Sequence, residues 1–241
     1  MNHTALRLVR PLVLALATPL LCGPLLAIPA RVLAWDTDIA GRSLAIGDAN
    51  KNSKIVAMHP TQRTEPYEVN TGDAPSGIVA LDKKGPDGKP AVSPIKIPAG
   101  VKNPLLVILP DEKATTGIRI FVLEDDTSGF SWGTTRFINA MGKEVIFVQE
   151  KKGTSLPPSW TPIQLSPGGE DRNVGVKMFF RDQPERPIYS AVWEINSNVR
   201  KLVFLLPSED ERLGPVATKM ILEDRRVIQA VNDAKQKAGK P

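Results

Sequence analysis

Three features of this 241-residue sequence predict an all-β protein made of two similar halves. Apolar and polar residues alternate over many short segments, the period of strands whose successive side chains face opposite sides of a sheet. Twenty-two prolines oppose a helical chain, because proline removes a backbone donor and clashes with the preceding turn. The third feature is repetition. VKNPLLVILPDEK (Val101–Lys113) returns as VRKLVFLLPSEDE (Val199–Glu211), with a basic residue, a five-residue apolar run, a proline and acids in the same order.

The repeat extends well beyond these stretches. Lys89–Pro110 aligns with Arg186–Pro207 at a spacing of 97 residues, matching Lys89 with Arg186, Pro90 with Pro187 and Ser93 with Ser190. Upstream, Pro66 and Gly72 match Pro162 and Gly168; downstream, Gly117 and Glu124-Asp125 match Gly214 and Glu223-Asp224. RSLAIGDANKNSKIVAM and TTRFINAMGKEVIFV match in pattern, which sets the copies at about Gly41–Asp126 and Gly133–Arg225. Two copies are too few for a solenoid, whereas ninety residues can bury a core of their own.

Residues 1–34 read as an export leader. Arg7 and Arg10 precede an apolar run from Pro11 to Ala30, and small residues at Ala30 or Ala34 suit cleavage. Prolines and Gly23 within the run oppose a retained spanning helix. The leader holds Arg7, Arg10 and Arg31 and no acid, leaving 28 basic against 26 acidic residues, so the basicity of the whole chain is no argument for nucleic acid. Cys22 also lies in the leader, and no disulfide is expected.

In the first copy, residues 35–126, strands are expected near 43–47, 54–58, 66–70, 77–82, 92–97, 104–109 and 118–123. A linker follows at 127–133. The second copy, 134–225, offers strands near 134–140, 144–149, 162–166, 173–180, 188–195, 201–206 and 216–222. Leu105–Leu109 and Leu202–Leu206 show no alternation and read as strands covered on both faces. Turns fall at Pro86-Asp87-Gly88, Met141-Gly142-Lys143 and Ser166-Pro167-Gly168-Gly169. Seven short strands per hundred residues is the pattern of an immunoglobulin-like β-sandwich, here two in tandem from an internal duplication. The one good helical segment, Glu223–Lys237, predicts a basic C-terminal helix or tail over residues 226–241.

The residues exclude several chemistries. His59 is the single histidine after the leader, so a His/Cys zinc site cannot be assembled, and a nucleophilic triad would depend on that one loop residue. Glycine-rich phosphate loops and GxSxG are absent from the sequence. Asp36, Asp38 and Asp48 fall short of a calcium loop. No catalytic, metal or cofactor-binding residue is assigned, and no cofactor is expected. Glu124, Asp125, Asp126 and Glu209, Asp210, Glu211 cluster enough to consider a two-carboxylate polysaccharide hydrolase, but their positions after strands favour solvated turns. Trp132 and Trp160 lie in Gly/Pro-rich segments and are the candidate binding surface, since an exposed tryptophan can stack on a sugar or anchor a partner; the alternative is that they plug a core or the joint between halves.

WGTTRFINAMGKEVIFV (Trp132–Val148) resembles the opening hairpin of secreted immunoglobulin-like repeat domains, a resemblance that implies no site residue. An exported chain with two sandwiches is also similar to the pilus-chaperone family, although that family's Arg/Lys cleft signature has no match in this sequence. The expected function is therefore a secreted or periplasmic, non-catalytic module of the cell envelope that binds a protein or glycan. The alternatives are a structural spacer, a pilus-type chaperone and, last, the carboxylate hydrolase. Neither a nucleic-acid partner nor a membrane span after leader removal is expected, and the oligomeric state stays open.

Overall fold

The structure, a computed structural model, describes residues 27–48, 53–72, 75–210, 212 and 214–238. It is all-β among those residues. The first half holds β1 (Ala27–Ala34), β2 (Leu44–Gly47), β3 (Lys54–Ile55), β4 (Tyr67–Asn70), β5 (Gly77–Lys84), β6 (Pro90–Pro94), β7 (Pro104–Pro110) and β8 (Ile118–Glu124), with one helical turn, α1 (Thr37–Ala40), after β1. The second half holds β9 (Thr135–Asn139), β10 (Val145–Gln149), β11 (Lys152–Leu156), β12 (Ile163–Leu165), β13 (Arg172–Phe180), β14 (Pro187–Ile195), β15 (Val199–Pro207) and β16 (Val216–Asp224), followed by α2 (Arg225–Ala238).

These strands form four four-stranded sheets, ordered β4-β1-β7-β8 and β3-β2-β5-β6 in the first half, β12-β9-β15-β16 and β11-β10-β13-β14 in the second. Adding eight to each strand number converts one half into the other. In both, the first strand runs parallel to the seventh, with Arg31 opposite Leu105 and Arg136 opposite Leu202. The repetition in the sequence is thus a repetition of topology.

Each pair of sheets encloses a core. Val32, Ile46, Ile78, Leu106 and Ile108 pack together in the first half, and Phe137, Phe147, Val176, Trp193, Val203 and Leu205 in the second. A third core lies between the halves, where Leu33, Leu105, Val107 and Leu123 meet Ile138, Leu202, Phe204 and Ile221. By strand register these are the same positions of the two copies: Leu105 pairs with Leu123 as Leu202 pairs with Ile221, and Leu33 lies beside Val107 as Ile138 lies beside Phe204. Each copy therefore offers the same sheet face to the other, the arrangement of an isologous interface. The four sheets stack as layers, and β7 and β15 run through the two middle ones. Odd positions of β7 and even positions of β15 enter the seam while the alternate positions enter each half's own core. Burial on both faces is why PLLVILP and its echo lack alternation.

Three expectations require correction. First, residues 1–26 of the expected leader lie outside the described residues, and the rest of it, Ala27–Ala34, is β1. Ala30, Val32, Leu33 and Ala34 are fully buried between β4 and β7. Cleavage after Ala34 would remove this central strand and cleavage after Ala30 would cut it, so the first half includes Ala27–Ala34 and does not begin at residue 35. Second, among the described residues each half has eight strands rather than seven, and the match at the N-terminal ends shifts by one: β1 corresponds to β9, and Leu44–Gly47 corresponds to Val145–Gln149. Third, β9 and β10 are not a hairpin. They belong to different sheets, and the connection crosses the sandwich, fixed by the buried Asn139, whose amide donates to the carbonyls of Lys143 (2.8 Å) and Leu156 (2.7 Å).

The expected C-terminal helix is present as α2. Its amides follow directly from β16, Lys235 and Lys237 lie in its last turn where they offset the helix dipole, and none of its residues is buried. None of the described helices is long and apolar enough to cross a membrane.

Candidate functional site: a cleft at the seam

Where β8 gives way to the linker, polar side chains from both halves converge. Asp125 directly follows β8 and is 3% exposed; Glu223 lies at the end of β16. They are equivalent residues, one position off the expected match of Asp125 with Asp224, because Asp125 N donates to the carbonyl of Asn103 while Glu223 pairs with Arg200, and Asn103 and Arg200 are 97 residues apart on β7's approach and β15. Three arginines join the two carboxylates. Arg31, from β1, donates to both. Arg63, from the loop before β4, forks onto Asp125 with Nε–Oδ2 2.9 Å and Nη2–Oδ1 3.1 Å, and its Nε lies 3.9 Å from Glu223. Arg200 donates through Nε to Glu223 at 2.6 Å and through Nη1 to the carbonyls of Asp125 (2.9 Å) and Phe130 (3.1 Å).

A fourth guanidinium, Arg136, donates to the carbonyl of Glu124, to that of Gly129 at 2.9 Å and to Gln164 at 2.9 Å, without a carboxylate partner. The fully buried Phe130 ring sits between two of these cations, 4.3 Å from Arg136 and 4.9 Å from Arg200, and Trp132 lies 5.1 Å from Arg200. The segment expected as a linker is thus part of the seam, with Phe130 as its plug.

Electrostatics follow from burial. Burial alone would raise the Asp125 carboxyl, but Arg63, Arg31 and Arg200 outweigh it and hold it below the usual aspartate value. Burial pulls Arg200 and Arg136 down, against the attraction of Asp125 in both cases. Four arginines face two carboxylates, and two guanidinium nitrogens in this group, Arg63 Nη1 and Arg136 Nε, are buried without an acceptor.

Beside the network opens a cleft of about 730 Å³. Arg31, Arg63, Arg200, Asp125 and Glu223 form its floor; Pro29, Pro66, Pro104 and Trp132 line its sides, and Val227, Ile228 and Val231 of α2 form a wall. Pockets of this size and mixture suit a small ligand or an anchoring side chain.

The structure separates the two expected tryptophans. Trp132 is half-buried and lines this cleft. Trp160 packs at the opposite part of the seam, 4.9 Å from Phe121, 6.1 Å from Trp35 and 6.4 Å from Phe204, with Arg119 over its ring at 5.0 Å. The acidic clusters divide as well. Asp125, expected in a solvated turn, is instead the buried hub, because three guanidiniums replace its water. Asp126 is held by Asn103 (2.8 Å) and the Ser128 amide (2.7 Å), and Asp210 pairs with Arg212, while Glu211 lies outside the described residues. His59 is exposed and accepts from the Thr61 amide. Asp36 caps α1, accepting from the Ile39 amide at 2.8 Å. Among the described residues no group of three His, Cys, Asp or Glu could hold a metal ion.

Sequence reasoning missed Arg31, Arg63, Arg136, Arg200 and Glu223. Arg31 and Arg136 stand opposite Leu105 and Leu202, equivalent residues, so a correct alignment of β1 with β9 would have paired them. No protein-family model matches the chain, and no curated protein matches it in sequence.

Proposed function

We propose that this protein is an exported, non-catalytic binding module of the cell envelope, built of two immunoglobulin-like sandwiches in tandem, and that it holds a protein or glycan in the seam cleft with Trp132 as the aromatic anchor. The observation that carries this reading is the cleft itself, which joins a rigid ionic floor, an indole and an apolar helix wall on elements from both halves. Trp160 supports the joint instead, packed among Trp35, Phe121 and Phe204. The leader in this reading ends before Ala27, since β1 begins there.

Two alternatives have less support. Stacking the halves face to face shortens the molecule, whereas a spacer gains length by joining modules end to end. The carboxylates that come together at the seam are shared by three arginines and Asp125 is held ionised, the reverse of the raised carboxyl a glycosidase acid needs.

The test is capture from envelope extract and from a panel of envelope oligosaccharides by the exported chain, beside Thr127→Trp, which places an indole at the exposed cleft mouth. A partner retained by the unmodified chain and lost by the variant is expected. Equal capture by both, or none by either, refutes the cleft as the binding site.

A further inference from the structure

We propose that the first occupant of the cleft is the chain's own segment 20–26, which leads into β1 and covers the apolar face of α2 until the leader is removed. The consequence for binding rests on the reading above; the docking itself does not. The direction of the chain carries the argument. β16 passes β1 in the opposite sense: Lys219 lies 6.0 Å from the Trp35 ring, and Glu223, four residues on, accepts from Arg31, four residues back. α2 continues β16 past Asp224 and so extends toward the N-terminal end of β1, where its Val227, Ile228 and Val231 line the cleft with Pro29. One turn further along, Lys235 reaches Glu65 ahead of β4 at 2.8 Å. Whatever precedes Ala27 therefore enters the fold at the cleft, beside α2.

Charge and composition agree with this occupant. The cleft lining is balanced: Arg31, Arg63 and Arg200 stand against Asp125, Glu223 and Asp126, and Glu65 is neutralised by Lys235. A charged occupant would be buried without a counter-charge, whereas an uncharged one brings no such cost. Residues 20–26 read LLCGPLL and carry no charge. What lacks a cover is hydrocarbon. Val227 and Val231 are 60% and 44% exposed, and they belong both to the cleft and to an open groove of about 540 Å³ that continues past Ala230 and Ala234. From Val227 to Ala234 a helix rises about 10 Å, at ~1.5 Å per residue. Seven extended residues span about 23 Å, at ~3.3 Å each, so the segment is long enough to follow this track. Pro29 and Arg31 face the cleft from alternate positions of β1, and the same period of two puts Leu25 on that face. Leader removal uncovers the cleft and α2 together, so the binding site opens only in the exported chain.

The test uses the full 241-residue chain, made without export so that residues 1–26 are kept; its one cysteine, Cys22, lies within the segment. Val231→Cys or, separately, Ala234→Cys supplies a thiol on α2, and Val192→Cys, 71% exposed on β14, is the reference. Dilute chain is treated with a short bis-maleimide, and the bridge from Cys22 to the new thiol is read by peptide mass. Bridging to α2 is expected at least tenfold faster than bridging to position 192. Leu25→Asp with Leu26→Asp puts charge into the segment without touching a described core, and should bring the α2 rate down to the reference. Equal rates at α2 and position 192, or α2 rates indifferent to the aspartates, overturn the proposal. Capture from envelope extract by the same full chain, with and without the aspartates, reads the consequence. At least tenfold more partner with the aspartates is expected, and equal capture by both chains overturns the shielding. Selective bridging with no capture by either chain leaves the self-docking standing and removes the cleft reading.

Discussion

The seam between the halves is a core in its own right, and Phe204→Ala measures whether it behaves as one. Phe204 is fully buried on the seam face of β15, edge-on to Trp35 at 5.2 Å and 6.4 Å from Trp160. Truncating a buried phenylalanine costs about 3–5 kcal/mol from lost transfer energy and the cavity left behind, and ring pairs of this geometry add roughly 0.5–1.5 kcal/mol within that range. Leu202→Ala on the same face and Leu205→Ala on the opposite face are both essentially buried and should each cost about 2–5 kcal/mol. Val192, 71% exposed, is the reference and its alanine variant should stay within about 0.5 kcal/mol of the parent. Denaturant unfolding followed by tryptophan fluorescence and far-UV circular dichroism gives all four values. Because one strand serves two cores, the two signals should coincide in a single transition. Seam variants costing under about 1 kcal/mol while Leu205→Ala shows its full loss, or two separate transitions in the parent, would refute the four-layer core.

Three further outcomes follow from the same geometry. The Asp125 carboxyl is lowered from 3.8, so its contribution is present above that value and is lost as pH falls through the lower folded-state value; stability measured by thermal melts should decline below about pH 4, and Asp125→Ala, which strips the buried arginines of a shared partner, should cost about 3–5 kcal/mol at pH 7. A chain begun at Asp36 lacks β1 and should give no dispersed amide spectrum, whereas one begun at Ala27 should fold; a folded Asp36 chain would contradict the place given to β1. Removing residues 225–241 deletes the described helix α2, none of whose residues is buried, and should shift Tm by only a few degrees while abolishing whatever the cleft binds.

Much of this fold was legible because strands announce themselves by side-chain period and turn chemistry. All fourteen expected strands are present, β13 and β14 with nearly the expected limits. The two that escaped did so for physical reasons. IPARVLA is apolar except for Arg31 because it is covered by β4, β7 and the seam, and in composition it cannot be told from the end of an export leader. In β11, KGTSL is a polar edge strand, and the two-residue turn before it puts Glu150 and Lys151 at φ 48° and 72°, where glycine or asparagine is the usual signal. The doubly covered β7 and β15 were readable from their unbroken apolar runs, yet nothing local says that the second cover is the other copy. Arg63, on a loop, carried no pattern at all; its meaning comes from Asp125, sixty-two residues away.

Duplication also explains why the two copies must differ where they touch. Packing one sheet face against its own repeat brings equivalent residues into one neighbourhood, and equivalent charges repel. Asp125 and Glu223 are such a pair, and left alone they would place two anions in a buried seam. The counter-charge comes from an asymmetry: Arg200 stands where the first copy has Asn103, and it reaches Glu223, the carbonyl of Asp125 and that of Phe130. Asn103, left with the shorter side chain, holds Asp126 at the rim instead. Arg31 and Arg136 are equivalent too, and they have diverged in partners rather than identity, one bound to both carboxylates and the other to carbonyls and an amide. The apolar positions of the seam stayed alike, since hydrocarbon packs against hydrocarbon without regard to sign. The polar positions separated, and their cross-pairing makes the ionic floor of the cleft.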